Sequence, residues 1–101
     1  MNKHLLRQAQ ELQARLAKAQ EELADMTVEV SAGGGAVTLV MDGRQRVHSV
    51  KISPQAVDPQ DIGLLEDLML TAINQAVQKS QEMAQSHLGQ LTSGFKFPGL
   101  K

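Results

Sequence analysis

Three histidines, a run of three glycines and a scatter of lysines and arginines are the residues here whose types can do chemistry. His4, His48 and His87 lie too far apart for any two to share one turn of a helix, and there is no cysteine. No metal centre is expected from such a set, and disulfides and cysteine nucleophiles are excluded. The run Ser31-Ala32-Gly33-Gly34-Gly35-Ala36-Val37 invites a phosphate cradle, but such loops open a helix and usually carry a lysine. Here an alternating strand pattern follows instead, so a strand connection, or a close approach of backbone to a helix, is the better reading. Ser31, Ser49 and Ser53 have no base and acid at fixed spacing around them. Asp58 and Asp61 resemble paired carboxylates, yet helix capping explains both. Glu66-Asp67 reads as a solvated helix face. No enzyme, cofactor or small-molecule substrate is expected.

The positive charges are more informative. The formal net charge of −1 over 101 residues conceals alternating blocks. Lys3, Arg7, Arg15 and Lys18 outweigh Glu11 in the first twenty residues, and Glu21, Glu22, Asp25 and Glu29 follow. Arg44, Arg46 and Lys51 make the middle basic, five acids against Lys79 make 57–88 acidic, and Lys96 and Lys101 close the chain. Local fields, not totals, steer a polyanion. Lys3, Arg7, Arg15 and Lys18 are spread along one side of a predicted helix, the geometry that contact with a phosphate backbone requires. The plain alternative is a solvated coiled-coil face in which Arg7, Glu11 and Arg15 pair at i, i+4. The chain's two aromatics, Phe95 and Phe97, lie near its end, so the sheet has no platform for stacking single-stranded bases.

The elements that position these charges follow from periodicity. Leu5, Ala9, Leu12, Leu16, Ala19, Leu23 and Met26 recur at alternating steps of four and three, an unbroken heptad seam. A helix of about 24 residues is roughly 36 Å long, longer than a compact domain of this size is wide. It must project, with its seam facing a second chain. From Thr27 the period becomes two. Val28, Val30 and Ala32 form one face, and Val37, Leu39 and Met41 follow the glycines. Asp42-Gly43 marks a hairpin, with glycine supplying a positive φ. A third strand, Arg46 to Ile52, sets His48, Val50 and Ile52 against Val47, Ser49 and Lys51, with His48 satisfied on the inner face. Asp58-Pro59 starts the last helix, whose stripe is Ile62, Leu65, Met69, Ala72, Ala76 and Met83, with Gly89 as its stop. Residues 1–90 then form one domain and 91–101 a short tail, where Phe95 and Phe97 either dock on the core or wedge between base steps. No run reaches the ~20 apolar residues of a membrane span, and Met1 to Arg7 lack the apolar run of a signal peptide. A cytoplasmic protein is expected.

Several blocks now resemble one family. Arg7-Gln8-Ala9-Gln10-Glu11-Leu12-Gln13 and Ala19-Gln20-Glu21-Glu22-Leu23 are similar to the opening helix of the YbaB/EbfC family of bacterial nucleoid-associated proteins. Ser31 to Val37 resembles its glycine signature. Val50-Lys51-Ile52-Ser53-Pro54, Leu64-Leu65-Glu66-Asp67-Leu68 and Ala72-Ile73-Asn74-Gln75-Ala76 resemble its later blocks. Leu91-Thr92-Ser93-Gly94 and Phe97-Pro98-Gly99-Leu100 resemble its ending. The resemblance implies an α+β fold, an α-β-β-β-α subunit with a three-stranded antiparallel meander and two long helices, paired as a tweezer-like homodimer. It implies binding to double-stranded DNA, association with the nucleoid, and roles in nucleoid organisation and gene regulation. The family's basic arm positions fall here on Lys3, Arg7, Arg15 and Lys18, with Lys79 from the last helix. The seam residues Leu5, Leu12, Leu16, Leu23 and Met26 are expected at the dimer interface. A homodimeric protein-interaction module with incidental DNA binding is the alternative reading.

Overall fold

The computed structural model describes residues 2–93. Asn2 starts helix α1 (Lys3–Leu23) by accepting the His4 N–H at 2.9 Å, which satisfies one of the amide groups a helix start leaves free. The helix stops three residues short of Met26. There the N–H groups of Ala24, Asp25 and Met26 turn back to the carbonyls of Glu21, Glu22 and Leu23.

Strands β1 (Thr27–Ala32), β2 (Val37–Asp42) and β3 (Val47–Ile52) form an antiparallel sheet in the order β1-β2-β3. A short turn at Pro54–Ala56 leads to helix α2 (Ile62–Thr92). The expected α-β-β-β-α order is present. α2 lies over β1 and β2, burying Val30, Ala32, Val37, Leu39 and Met41 against Ala72 and Ala76. The two alanines are fully buried; their small side chains let the helix backbone approach the sheet. α1 packs against α2, and the molecule measures 68 × 23 × 17 Å with a radius of gyration of 19.6 Å. A compact chain of this length has a radius of about 13 Å, so the helices project as their lengths require.

The glycine run connects β1 to β2. Gly33, Gly34 and Gly35 have φ of 65°, 66° and 97°, a left-handed stretch that side chains disfavour. A Cβ on Gly33 falls 2.8 Å from Leu68 Cδ2, whereas one on Gly34 meets nothing within 4 Å. Both halves of the sequence reading hold: the run joins strands and admits a helix closely. Gly34→Ala is expected to lower stability by about 1 kcal/mol through backbone strain alone. Gly33→Ala should lower it further, because Leu68 must also move; urea midpoints ranked wild type, Gly34→Ala, Gly33→Ala check this.

Four local expectations are corrected. In the second hairpin the positive φ belongs to Gln45, at 66°, not to Gly43. Gly43 is there for space, since a Cβ lies 2.9 Å from the Leu23 carbonyl oxygen. In β3, Met41 pairs with Val47 and Val40 with Ser49, leaving His48 as the extra residue of a bulge. The bulge shifts the alternation, so Val47 joins Val50 and Ile52 on the apolar face, and the His48 side chain is 44% exposed. Asp61, not Asp58, caps α2, accepting the Leu64 N–H, while Asp58 closes the preceding turn through the Gln60 N–H at 3.0 Å. Gly89 does not stop α2. The helix runs on to Thr92, where the Thr92 and Ser93 hydroxyls donate to the carbonyls of Gly89 and Gln90. Of the expected tail, residues beyond Ser93 lie outside the described residues.

Candidate nucleic-acid interface

Lys3, Arg7, Arg15 and Lys18 are all exposed on α1. At about 100° per residue they occupy an arc of roughly 120°, opposite the seam. They span about 22 Å of helix axis, two-thirds of the ~34 Å turn of duplex DNA. Arg15 also has a partner within the free chain. Lys79 stands apart. It shares a shallow depression on α2 with Gln75, Gln78 and Glu82, and Gln78 donates to the Glu82 carboxylate. Its neighbour Ser80 reaches the second hairpin, at the end of α1 some 30 Å from Lys3.

The seam divides along its length. Ala19 and Leu23 are 1% and 4% exposed within the subunit, covered by its own elements. Of the rest of the seam, Leu5 and Ala9 are exposed and Leu12, Leu16 and Met26 are half-buried. A larger apolar surface lies elsewhere. Val47, Val50 and Ile52 extend past the cover of α2 and are exposed, as are Ile62, Leu70 and Ile73 of that helix. Ile62 and Ile73 lie within about 20° of Ser80 around the helix and Leu70 about 80° from it; Ser80 bonds Asp42 of β2, so the side carrying Ser80 turns toward the second hairpin. Sequence reasoning missed this surface because alternation reports one apolar face without saying how far a single helix covers it.

The hairpin at Asp42-Gly43 was expected, but not the bonds that centre on its carboxylate. The Asp42 carboxylate is almost wholly buried. It accepts the N–H of Arg44 at 2.8 Å, the N–H of Arg46 at 3.1 Å and His48 Nε2 at 2.8 Å. Burial pushes this carboxyl up. The Arg46 N–H, the His48 ring, the Arg44 N–H and the charge of a protonated His48 outweigh that and hold it below the ordinary aspartate value. The Asp42 carbonyl accepts the buried Ser80 hydroxyl at 2.6 Å, and the Gly43 N–H donates to the carbonyls of Leu23 and Met26, each at 2.9 Å. One hairpin thus fastens the end of α1 to the interior of α2. The sequence signal was an acid-free stretch, 43–57, carrying Arg44, Arg46 and Lys51.

The remaining histidines form no site. His87 Nε2 is 3.5 Å from Glu22 Oε1 and has no hydrogen-bond partner. Among the described residues no three His, Cys, Asp or Glu side chains gather where an ion would fit, and no helix is long and apolar enough to cross a membrane.

Residues 1–95 match the YbaB/EbfC DNA-binding family. A nucleoid-associated protein of Syntrophobacter fumaroxidans is 51% identical over 96 residues, covering 95% of this chain and 87% of the relative. One from Desulforamulus reducens is 49% identical over 100 residues, covering 99% and 94%. The fold is similar to the crystal structure of an uncharacterized Helicobacter pylori protein, with a TM-score of 0.77 at 15% identity, covering 90% of this chain and 97% of that one. Nearly the whole length, from the basic helix through the glycine turn and the sheet to the end of α2, is matched, and the chain belongs to the YbaB/EbfC DNA-binding family.

Proposed function

We propose that the protein binds double-stranded DNA in the nucleoid of the cytoplasm as a homodimer, mainly through phosphate contacts from α1. The observation that carries this reading is a projecting helix with Lys3, Arg7, Arg15 and Lys18 exposed opposite its apolar seam. Arginine and lysine spread along a helix face suit backbone contact. Arg15 already has a partner in the subunit and Glu11 and Glu22 interrupt the charge, which lowers affinity; each phosphate contact releases counterions, so binding depends strongly on salt. Two arms on one dimer let it bridge or compact duplexes, and through that influence expression. The name carried by the relatives, nucleoid-associated protein, supports this location. Pairing is supported by the exposed apolar side chains of β3 and α2 and by the free part of the seam, Leu5, Leu12 and Leu16.

The test is titration of a labelled duplex between about 50 and about 200 mM salt. With four contacts per subunit, the slope of log affinity against log salt is expected near −7 for the dimer. The combined variant Lys3→Ala, Arg7→Ala, Arg15→Ala and Lys18→Ala should flatten most of it. Absence of binding at low salt, or a variant slope equal to wild type, would hand the apolar β3 surface the main role and favour a protein-interaction module.

A further inference from the structure

We propose that the β2–β3 hairpin is a second contact for the DNA backbone, with the guanidinium groups of Arg44 and Arg46 as its phosphate ligands. The inference rests on the DNA-binding reading and adds a site at the base of the arm.

The first support is rigidity. The Asp42 carboxylate holds the N–H groups of both arginines. The Asp42 N–H donates to the Arg46 carbonyl at 2.9 Å, and the Gln45 N–H to the Asp42 carbonyl at 3.0 Å. Ser80 and the Gly43 N–H then pin the hairpin to α2 and to the end of α1. A loop tip so fixed loses only side-chain freedom on binding.

Charge is the second. Asp42 is the one acid near the tip in sequence, and its carboxylate faces inward, bonded to the hairpin's own N–H groups and to His48. No other acid occurs from 43 to 57. Arg44 and Arg46 are exposed, and among the described residues neither guanidinium has an ion pair. Lys79 shares its depression with Glu82, and the basic face of α1 is interrupted by Glu11 and Glu22. Guanidinium is also the planar donor best matched to phosphate oxygens.

Position is the third. The Gly43 N–H sits on the last carbonyl of α1, so the tip stands where the arm meets the body, about 8 Å along the axis beyond Lys18. Gly43 packs on Leu23, a seam residue, so a duplex on the basic face of α1 reaches the tip only by wrapping round the base of the arm.

Fluorescence anisotropy of a labelled duplex against salt tests this with four proteins: wild type, R44A/R46A, R44K/R46K and the α1 charge variant. R44A/R46A keeps the backbone N–H groups that Asp42 binds, and a melting curve equal to wild type confirms its fold. It should lose about tenfold or more in affinity at low salt and make the slope shallower by about 2 per contacting subunit. R44K/R46K should keep the wild-type slope. DNA should also protect Arg44 and Arg46 from phenylglyoxal, read by mass spectrometry. If R44A/R46A matches wild type in affinity and slope, or DNA leaves both arginines reactive while the α1 variant loses binding, this proposal fails and the arm reading stands. If wild type itself does not bind, the DNA reading fails first.

Discussion

Asp42→Ala is expected to lower the unfolding free energy by about 3 kcal/mol, a large share of the ~5–15 kcal/mol that holds a domain together. The carboxylate accepts three hydrogen bonds, each worth about 1.5–3 kcal/mol when one partner is charged. Its partners sit near the surface, and the Arg44 and Arg46 amides and the His48 ring regain water once it is gone. The loss is therefore well below the sum. It remains substantial because the same hairpin anchors α2 through Ser80 and α1 through Gly43, so a looser turn loosens both helices. Thermal unfolding should fall by on the order of 15 °C. An unchanged midpoint would mean that Ser80 and Gly43 hold the hairpin without the carboxylate.

Asp42→Asn separates charge from hydrogen bonding. It keeps an oxygen facing the Arg44 and Arg46 amides, which both bind Oδ1, and removes the titration. Because the folded carboxyl lies below the ordinary aspartate value, its stabilisation is complete at pH values above the unfolded value of about 3.9. It is lost as pH falls through the folded value. The margin between wild type and Asp42→Asn should therefore shrink as pH falls below about 4. Urea unfolding between about pH 5 and about pH 3 measures it; a margin that widens below about pH 4 contradicts the assignment.

What the sequence disclosed, and what it hid, divides by the range of the interaction. The order of elements was legible because the heptad of α1 and the alternation of β1 and β2 are local patterns, each repeated several times. Chain-wide blocks pointed to the family for the same reason. Gly33 was read correctly in kind, yet Leu68, the side chain it makes room for, lies 35 residues away in sequence. Gly43 was assigned to φ, when its real constraint is the Leu23 carbonyl. The His48 bulge was invisible because one inserted residue leaves composition unchanged and reverses the faces on one side of it. Asp58 and Asp61 are both good caps three residues apart, and nothing local decides which one the helix uses. The candidate site followed the same rule. The exposed charges of α1 were legible from one helix, whereas the Asp42 hub needs β2, β3, α1 and α2 together.

Introducing Val50→Glu with Ile73→Glu is expected to convert the proposed homodimer to monomer, raising its dissociation constant by at least about 100-fold, roughly 3 kcal/mol. β3 is an edge strand, with unpaired backbone groups along its free side. Its apolar face carries Val47, Val50 and Ile52 beyond the cover of α2, exposed at 49%, 42% and 41%. Ile73 lies on the side of α2 that carries Ser80, exposed at 38%. Apolar side chains gathered like this mark an interface more often than a bare surface, and a second copy answers them with the same residues across a two-fold axis. Two carboxylates placed there must be buried without partners, and that penalty opposes association. Both positions are partly open to water in the subunit, so the variant should still fold, as circular dichroism would show. The seam makes the competing claim. Because Ala19 and Leu23 are already buried in their own chain, Leu12→Asp with Leu16→Asp should disturb the arm and shift the dimer equilibrium much less. Sedimentation equilibrium of the two variants at equal concentration decides between them. If the β3 variant stays dimeric while the seam variant dissociates, the copies meet along α1, and the basic faces then point away from a shared axis.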